Sequence, residues 1–470
     1  MFLSFPALSL SGENQLVAFC ERFPREHPIF PPGLCLILLA MESIKEDLLH
    51  FIWENRMFDN SSLSVKEEKV EVIDTGQHNK ASGPDFFNAR IKIGNTQWAG
   101  NVEIHVKASD WFRHNHHGDP AYFNVILHVV YEQDCRLERP GGEEIPCLVL
   151  KFDESLIENY NRLVKTTSVI PCHKFLQDID KIYWSDWYSK LMIGRLEEKT
   201  LEIERVLSAN KYNWEDCLYH FLGRSFGFKI NALPFETLVR TTPLNVLLRF
   251  RQKSLTLNAI LFGQAGFLED LLSEDEYYVS LQREYQPMMK TLPSRAIDKS
   301  NWKFMGARPG NFPLVRIAQF ASVIVKRYPL FAQLTDHPDL KSWRKILEPG
   351  IEPYWESHYL FGKTGKKRKL RMGKMAVDLV ILNAFVPIVF HYGTFRRRGD
   401  LKDRVLSILE ELPSEKNDII KKWEEKGVKS GNAFESQALI HLTTRFCKQR
   451  KCLECMIGNR IIKAWDPVEN

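Results

Sequence analysis

Gly83-Pro84-Asp85-Phe86, followed eighteen residues after its aspartate by Glu103-Ile104-His105-Val106-Lys107, is the pair of segments on which the reading of this chain turns. The second lies in a run from Thr96 to Ala108 that alternates polar and apolar residues and reads as a β-strand. Side chains of a strand point alternately to its two faces, so Glu103, His105 and Lys107 share one face while Val102, Ile104 and Val106 take the other. A strand with one solvated face shows the same pattern. Phosphodiester cleavage asks for more. Two carboxylates, or a carboxylate and an imidazole, hold a divalent cation that polarises the phosphate and lowers the pKa of attacking water. A lysine then orients that water or offsets transition-state charge. Asp85, Glu103, His105 and Lys107 meet these needs, with Asp85 and Glu103 as ligands to Mg²⁺ or Mn²⁺, His105 as a third ligand or a base, and Lys107 at the water or phosphate. Asp85 falls on the apolar parity of Phe87, Ala89 and Ile91, so its strand needs a kink near its start.

Outward from this pair, Ile44, Leu48, Leu49, Ile52 and Trp53 line one face of a helix expected over Glu42–Phe58. A strand is expected at Val65–Ile73, then a turn-rich stretch, then a hairpin of Phe86–Ile93 with Thr96–Ala108 around Gly94-Asn95. The polar run Asp110–Asp119 carries His114, His116 and His117, readable as a solvated loop, a phosphate-touching loop or an accessory metal site. Another strand follows at Asn124–Tyr131. His128 within it reads as a buried histidine or as support for the site. Past Leu150 the periods become helical. The expected class is α+β: a mixed-sheet core followed by a large, mainly helical region. The expected segments are an N-terminal extension over 1–40, open to being a misassigned start, an α/β domain over 41–150, a helical domain over 151–345, and a basic helical region over 346–470.

The order of helix, three strands, connector and strand, with Pro84-Asp85 followed by an acidic strand ending in Lys107, resembles the core of the PD-(D/E)xK nuclease superfamily. That resemblance implies a restriction-endonuclease-like fold and metal-dependent cleavage of DNA or RNA. The pattern departs at its second element, because His105 stands two residues before Lys107 and the acid is two earlier, at Glu103. A broader resemblance rests on Leu49-His50-Phe51-Ile52-Trp53, Gly83 to Arg90, Gly100 to Lys107, Asn124 to Tyr131, Leu261 to Phe267 and Arg308 to Pro313. Together with the terminal cysteine segment, these are similar to the bacterial family known as domain of unknown function 2851, whose membership implies no established activity.

The 470 residues are enough for several cores. The net charge of +5 is close to neutral for this length, so only local concentrations of charge bear on nucleic acid. Lys363, Lys366, Lys367, Arg368, Lys369, Arg371 and Lys374 form such a concentration, among glycines and after Tyr354, Trp355, Tyr359 and Phe361. They read as a backbone-tracking segment with stacking aromatics, or as a solvated loop packed down by those aromatics.

Nine cysteines, an odd number in a large chain, indicate cytoplasmic usage rather than a disulfide framework. Leu34–Met41 is too short to span a bilayer. Cys447, Cys452 and Cys455 carry knuckle-like spacing one ligand short of a zinc site or iron–sulfur cluster. Cys172, His441 or a carboxylate is the candidate fourth, and thiols packed beside a helix are the simpler alternative. The function expected is a metal-dependent phosphodiesterase. A non-catalytic nucleic-acid-binding protein on the same fold and a structural or interaction protein are the alternatives.

Overall fold

The computed structural model describes residues 44–60, 63–270, 274–306, 308–367 and 371–464. The extension expected over 1–40, and Arg368 and Lys369, lie outside the described residues. The chain forms two compact units: residues 1–183 with 443–470, and residues 184–442 between them. This division differs from the four consecutive segments expected from the sequence, since the cysteine-bearing terminus joins the first unit.

In the first unit, helix α1 (Glu46–Glu54) precedes strands β1 (Ser64–Val65), β2 (Glu68–Asp74), β3 (Gln77–His78), β4 (Phe86–Ile93), β5 (Thr96–Lys107), β6 (Val125–Glu132) and β7 (Cys147–Val149). The sheet runs β1-β2-β4-β5-β6-β7, with β3 also on β4. β2, β4 and β5 pair antiparallel, whereas β6 lies parallel to β5 and β7 parallel to β6. The class is therefore α+β with a mixed sheet. The single strand expected at Val65–Ile73 is split by a tight turn, because Lys66 and Glu67 both adopt positive φ. α1 stops short of Phe58, where Arg56 enters φ +52° and donates to the carbonyls of Val72 and Ile73. Its buried face holds Leu48, Leu49, Phe51, Ile52 and Trp53, and the Trp53 indole donates to the Thr75 carbonyl at 3.0 Å.

A parallel pair needs a crossover. Here residues 108–124 supply it, through the short helix α2 (Asp110–Arg113) and two 3₁₀ turns at His116–Gly118 and Pro120–Tyr122. β6 closes tightly on β5 at Gly100, where a Cβ would stand 2.4 Å from the Ile126 side chain and 2.9 Å from the Asn124 carbonyl. Only glycine permits that approach.

Among the described residues the second unit is helical apart from a two-stranded hairpin, His358–Leu360 with Lys363–Thr364, and an isolated bridge between Pro413 and Asn432. Its core includes Tyr219, Phe226, Phe262, Phe320, Trp343 and Trp355, all fully buried. Among the described residues one helix, Lys374–Phe395, is long and apolar enough to cross a membrane. It is mostly buried, with Val377, Ala384, Val386 and Ile388 at 0% exposure, as in the core helix of a globular unit.

Candidate metal centre

Asp85 is delivered by a fastened loop. The Asn79 side chain donates to the carbonyls of Ser82 and Pro84 and accepts from the Ala81 N–H, while the Asn79 N–H bonds the Asp85 carbonyl at 2.7 Å. β4 then begins at the buried Phe86, and its register on β5 slips between Phe86 and Ala89, where Asn88 takes φ +57°. The kink required by the parity of Asp85 is this bulge.

Asp85 and Glu103 clasp each other's backbone. The Asp85 N–H donates to Glu103 Oε2 at 3.0 Å, and the Ile104 N–H donates to Asp85 Oδ2 at 2.9 Å. Each carboxylate keeps further acceptor capacity. His50 Nε2 of α1 lies 3.2 Å from Asp85 Oδ2. Glu103 Oε1 faces His116 Nε2 at 3.1 Å and His105 Nε2 at 3.6 Å.

The face bearing Glu103 and His105 is covered, with exposures of 4% and 1%. The cover is the crossover, which brings Trp111 edge-on to His105 and carries His114 and His116 over it. One ligand atom from each of His105, His114 and His116 lies within 4.8 Å of the other two. His105 is buried, His116 half-buried and His114 exposed, so the cluster grades from interior to solvent. His105 Nδ1 meets His128 Nε2 at 2.8 Å, and His105 Nε2 meets His114 Nδ1 at 3.1 Å. With its proton on Nδ1, His105 turns the Nε2 lone pair toward Glu103 and the two crossover histidines, the tautomer that ligation needs.

Burial, reinforced by neighbouring imidazoles, pushes His105 down to about 2 and His128 to about 3, so both are neutral at ordinary pH. Burial raises the carboxyls of Glu103 and Glu46. Burial opposes charge on His50 as well, but its hydrogen bond to Asp85 and the charge of that carboxylate win, so its pKa is raised. Glu46 is in electrostatic reach of His114, His50, Asp110 and Asp85. A hard carboxylate pair joined to three imidazoles is a donor set for a divalent first-row ion, which in-pocket nitrogen favours over Mg²⁺.

The family model described as a protein of unknown function (DUF2851) matches residues 46–418. The chain belongs to this family. No curated protein and no solved structure matches the chain.

Of the residues singled out in this DUF2851 sequence, Asp85, Glu103 and His105 come together, and Lys107 stands at the rim. Its ammonium lies 3.6 Å from Glu132 Oε2 with about two-fifths of the side chain exposed. Its backbone N–H donates to Asp110 Oδ2. Glu46 and His50, spaced i, i+4 on α1, were hidden in the sequence because a polar pair on an amphipathic helix reads as solvated surface. In the second unit Lys363, Lys366, Lys367, Arg371 and Lys374 are exposed. Trp355 and Phe361, however, are core residues, and Tyr354 stacks on Tyr277 and His358. The stacking role expected of Trp355 and Phe361 fails on burial. Cys172, Cys447, Cys452 and Cys455 are all buried in the first unit.

Proposed function

We propose that this DUF2851 chain is a metal-dependent phosphodiesterase of nuclease type acting on DNA or RNA, built on a restriction-endonuclease-like core. The carrying observation is the reciprocal clasp of Asp85 and Glu103 beside three imidazoles whose ligand atoms lie within 4.8 Å of one another. Setting aside the two-residue strands β1 and β3, the order of helix, three antiparallel strands (β2, β4, β5), short helix and parallel strand supports the same reading. Asp85, Glu103, His105, His114 and His116 would hold a divalent ion. Such an ion supplies phosphate polarisation and water of lowered pKa. The chain's own groups do the rest: His128 fixes the ring of His105, His50 steadies Asp85, and Glu46 adds acceptor charge beside the exposed His114. The exposed lysines and Arg371 around the hairpin are the proposed nucleic-acid contacts of the second unit.

One observation favours a non-catalytic nucleic-acid-binding protein: the pairing of Lys107 with Glu132 at the rim. Incubation with labelled single-stranded, duplex and branched DNA and RNA in Mn²⁺ and in Mg²⁺ separates the two. Cleavage by wild type that is lost in Asp85→Ala supports the phosphodiesterase. Salt-sensitive binding with no cleavage of any substrate supports the binding protein, and absence of both removes both.

A further inference from the structure

The first unit is made from two distant stretches of chain, with residues 184–442 as an excursion between them. Bringing the ends of such an excursion together opposes folding through loop-closure entropy, and a clip across a long loop is where a cross-link gains most. The junction is ordered by specific contacts. Arg450, held at φ +56°, donates to the carbonyls of Ser168 at 2.9 Å and Thr166 at 2.6 Å. Arg460 donates to the Tyr183 hydroxyl at 2.9 Å, and Lys463 to the Asn55 side chain at 2.7 Å.

These contacts bring together the two stretches that carry four cysteines, Cys172 on one and Cys447, Cys452 and Cys455 on the other. Cys172 lies four residues past Ser168 in a turn closed by His173 N–H to Ile170 C=O and Phe175 N–H to Cys172 C=O. On the other stretch, the Cys455 N–H bonds the Cys452 carbonyl, and the helix Met456–Ala464 starts immediately after. A Cβ at Gly458 would fall 2.2 Å from the Cys452 carbonyl oxygen, so only glycine lets this helix run so close to the cysteine turn. All four thiols are 6–8% exposed, and all six pairs among them are within electrostatic reach of each other. Arg450 is within the same reach of Cys447 and Cys452.

We propose that Cys172, Cys447, Cys452 and Cys455 form one four-thiolate site for a thiophilic metal centre, a zinc ion or an iron–sulfur cluster, that fastens the two stretches of the first unit together. Four cysteine sulfurs complete either centre without a further ligand, and their burial closes the site as in structural rather than catalytic metal sites. The neighbouring guanidinium offsets the net negative charge that four thiolates leave around a dication. Packing alone accounts for isolated buried cysteines such as Cys217 in the other unit. It does not account for four buried cysteines within electrostatic reach of one another on segments separated by an entire unit. The site is independent of the phosphodiesterase reading.

The test is metal analysis of the full chain purified both aerobically and under strict exclusion of oxygen. The expected content is about one zinc, or about four irons with matching sulfide, per chain. Cobalt exchanged into the zinc form should show sulfur-to-cobalt charge transfer, which distinguishes this site from an ion on the histidines. Cys172→Ser and Cys455→Ser should each lose the metal, and Cys135→Ser should keep it. Should the cysteine variants fail to fold, mercurial titration of wild type reads the same question, with metal released in step with thiol modification. Metal below about a tenth of an equivalent in both preparations overturns the proposal, as does a thiolate signature retained by both variants, or release unrelated to thiol modification.

Discussion

The carboxylate–histidine pocket and the cysteine cluster are both donor-rich parts of the first unit, and they meet solvent in opposite ways. The pocket runs from buried His105 through half-buried His116 to exposed His114, whereas the four cysteines are uniformly buried. Catalytic metal sites keep a position open for water or substrate, and structural sites close. The pocket also mixes carboxylate with imidazole, hard with borderline donors, while the cluster is all sulfur. Exposure and donor type therefore separate a site suited to chemistry from one suited to holding the chain together, within one sheet-bearing unit.

Substitutions that tell the two apart should be strongest at the pocket's acids. Glu103→Gln is expected to reduce metal-dependent cleavage by at least about 100-fold, the scale on which a positioned electrostatic group acts. Because burial already raises the Glu103 carboxyl, the thermal midpoint of that variant should stay level or rise. Paired rate and melting measurements check both halves. Cys172→Ser should do the reverse, leaving the pocket's ligands in place while lowering stability by about 2–4 kcal/mol, the effect of a long-loop cross-link. Calorimetry of the full chain with and without chelator reads it, and unchanged melting behaviour would erase the contrast.

Acid sharpens the comparison further. His105 and His128 are held neutral well below their ordinary value of 6.5, so the unfolded chain binds protons there that the folded chain refuses. Their contribution to stability is present above about pH 6.5 and is lost as pH falls toward about 3, by up to about 1.4 kcal/mol per pH unit for each imidazole. His50 and Glu103 act with the opposite sign, since their raised values favour the folded state below their ordinary pKa and lose that effect as pH rises through the raised one. Urea titrations of wild type and His128→Asn across the acid range should show a flatter profile for the variant.

His114→Ala, at the open end, should weaken Mn²⁺ binding about tenfold. Its stability should change by no more than about 0.5 kcal/mol, as at a surface position. Titration calorimetry separates the two effects. The smallest effect is expected in the second unit, where replacing Lys363, Lys366 and Lys367 by alanine should reduce the salt dependence of nucleic-acid binding by about 0.9 per lost duplex phosphate contact. An unchanged slope would detach the hairpin from the interface.

Periodicity made the α+β class legible because strand alternation at Val102–Lys107 and the turn at Gly94-Asn95 are local signals. Even the bulge near Asp85 followed from parity, since a carboxylate on an apolar strand face has to be turned out of register. The site was legible only where its residues sit close in sequence. Glu103, His105 and Asp85 were visible, but the burial of the face bearing Glu103 and His105 was not, because its cover is a crossover whose histidines read locally as solvated loop. Glu46 and His50 were missed for the same physical reason: their partners are across space. Lys107 shares the parity of Glu103 and His105, yet strand length carries it past the pocket to Glu132. Around the basic hairpin, composition could not reveal that Trp355 and Phe361 are core.

The most direct measurement is crystallography of the full chain grown with Mn²⁺, using anomalous scattering to locate the ion. The account predicts a peak at coordination distance from Glu103 and at least two of His105, His114 and His116, with Asp85 alongside. No peak in that pocket, with Glu103 still paired to His116 while Mn²⁺ occupies other sites, would contradict it.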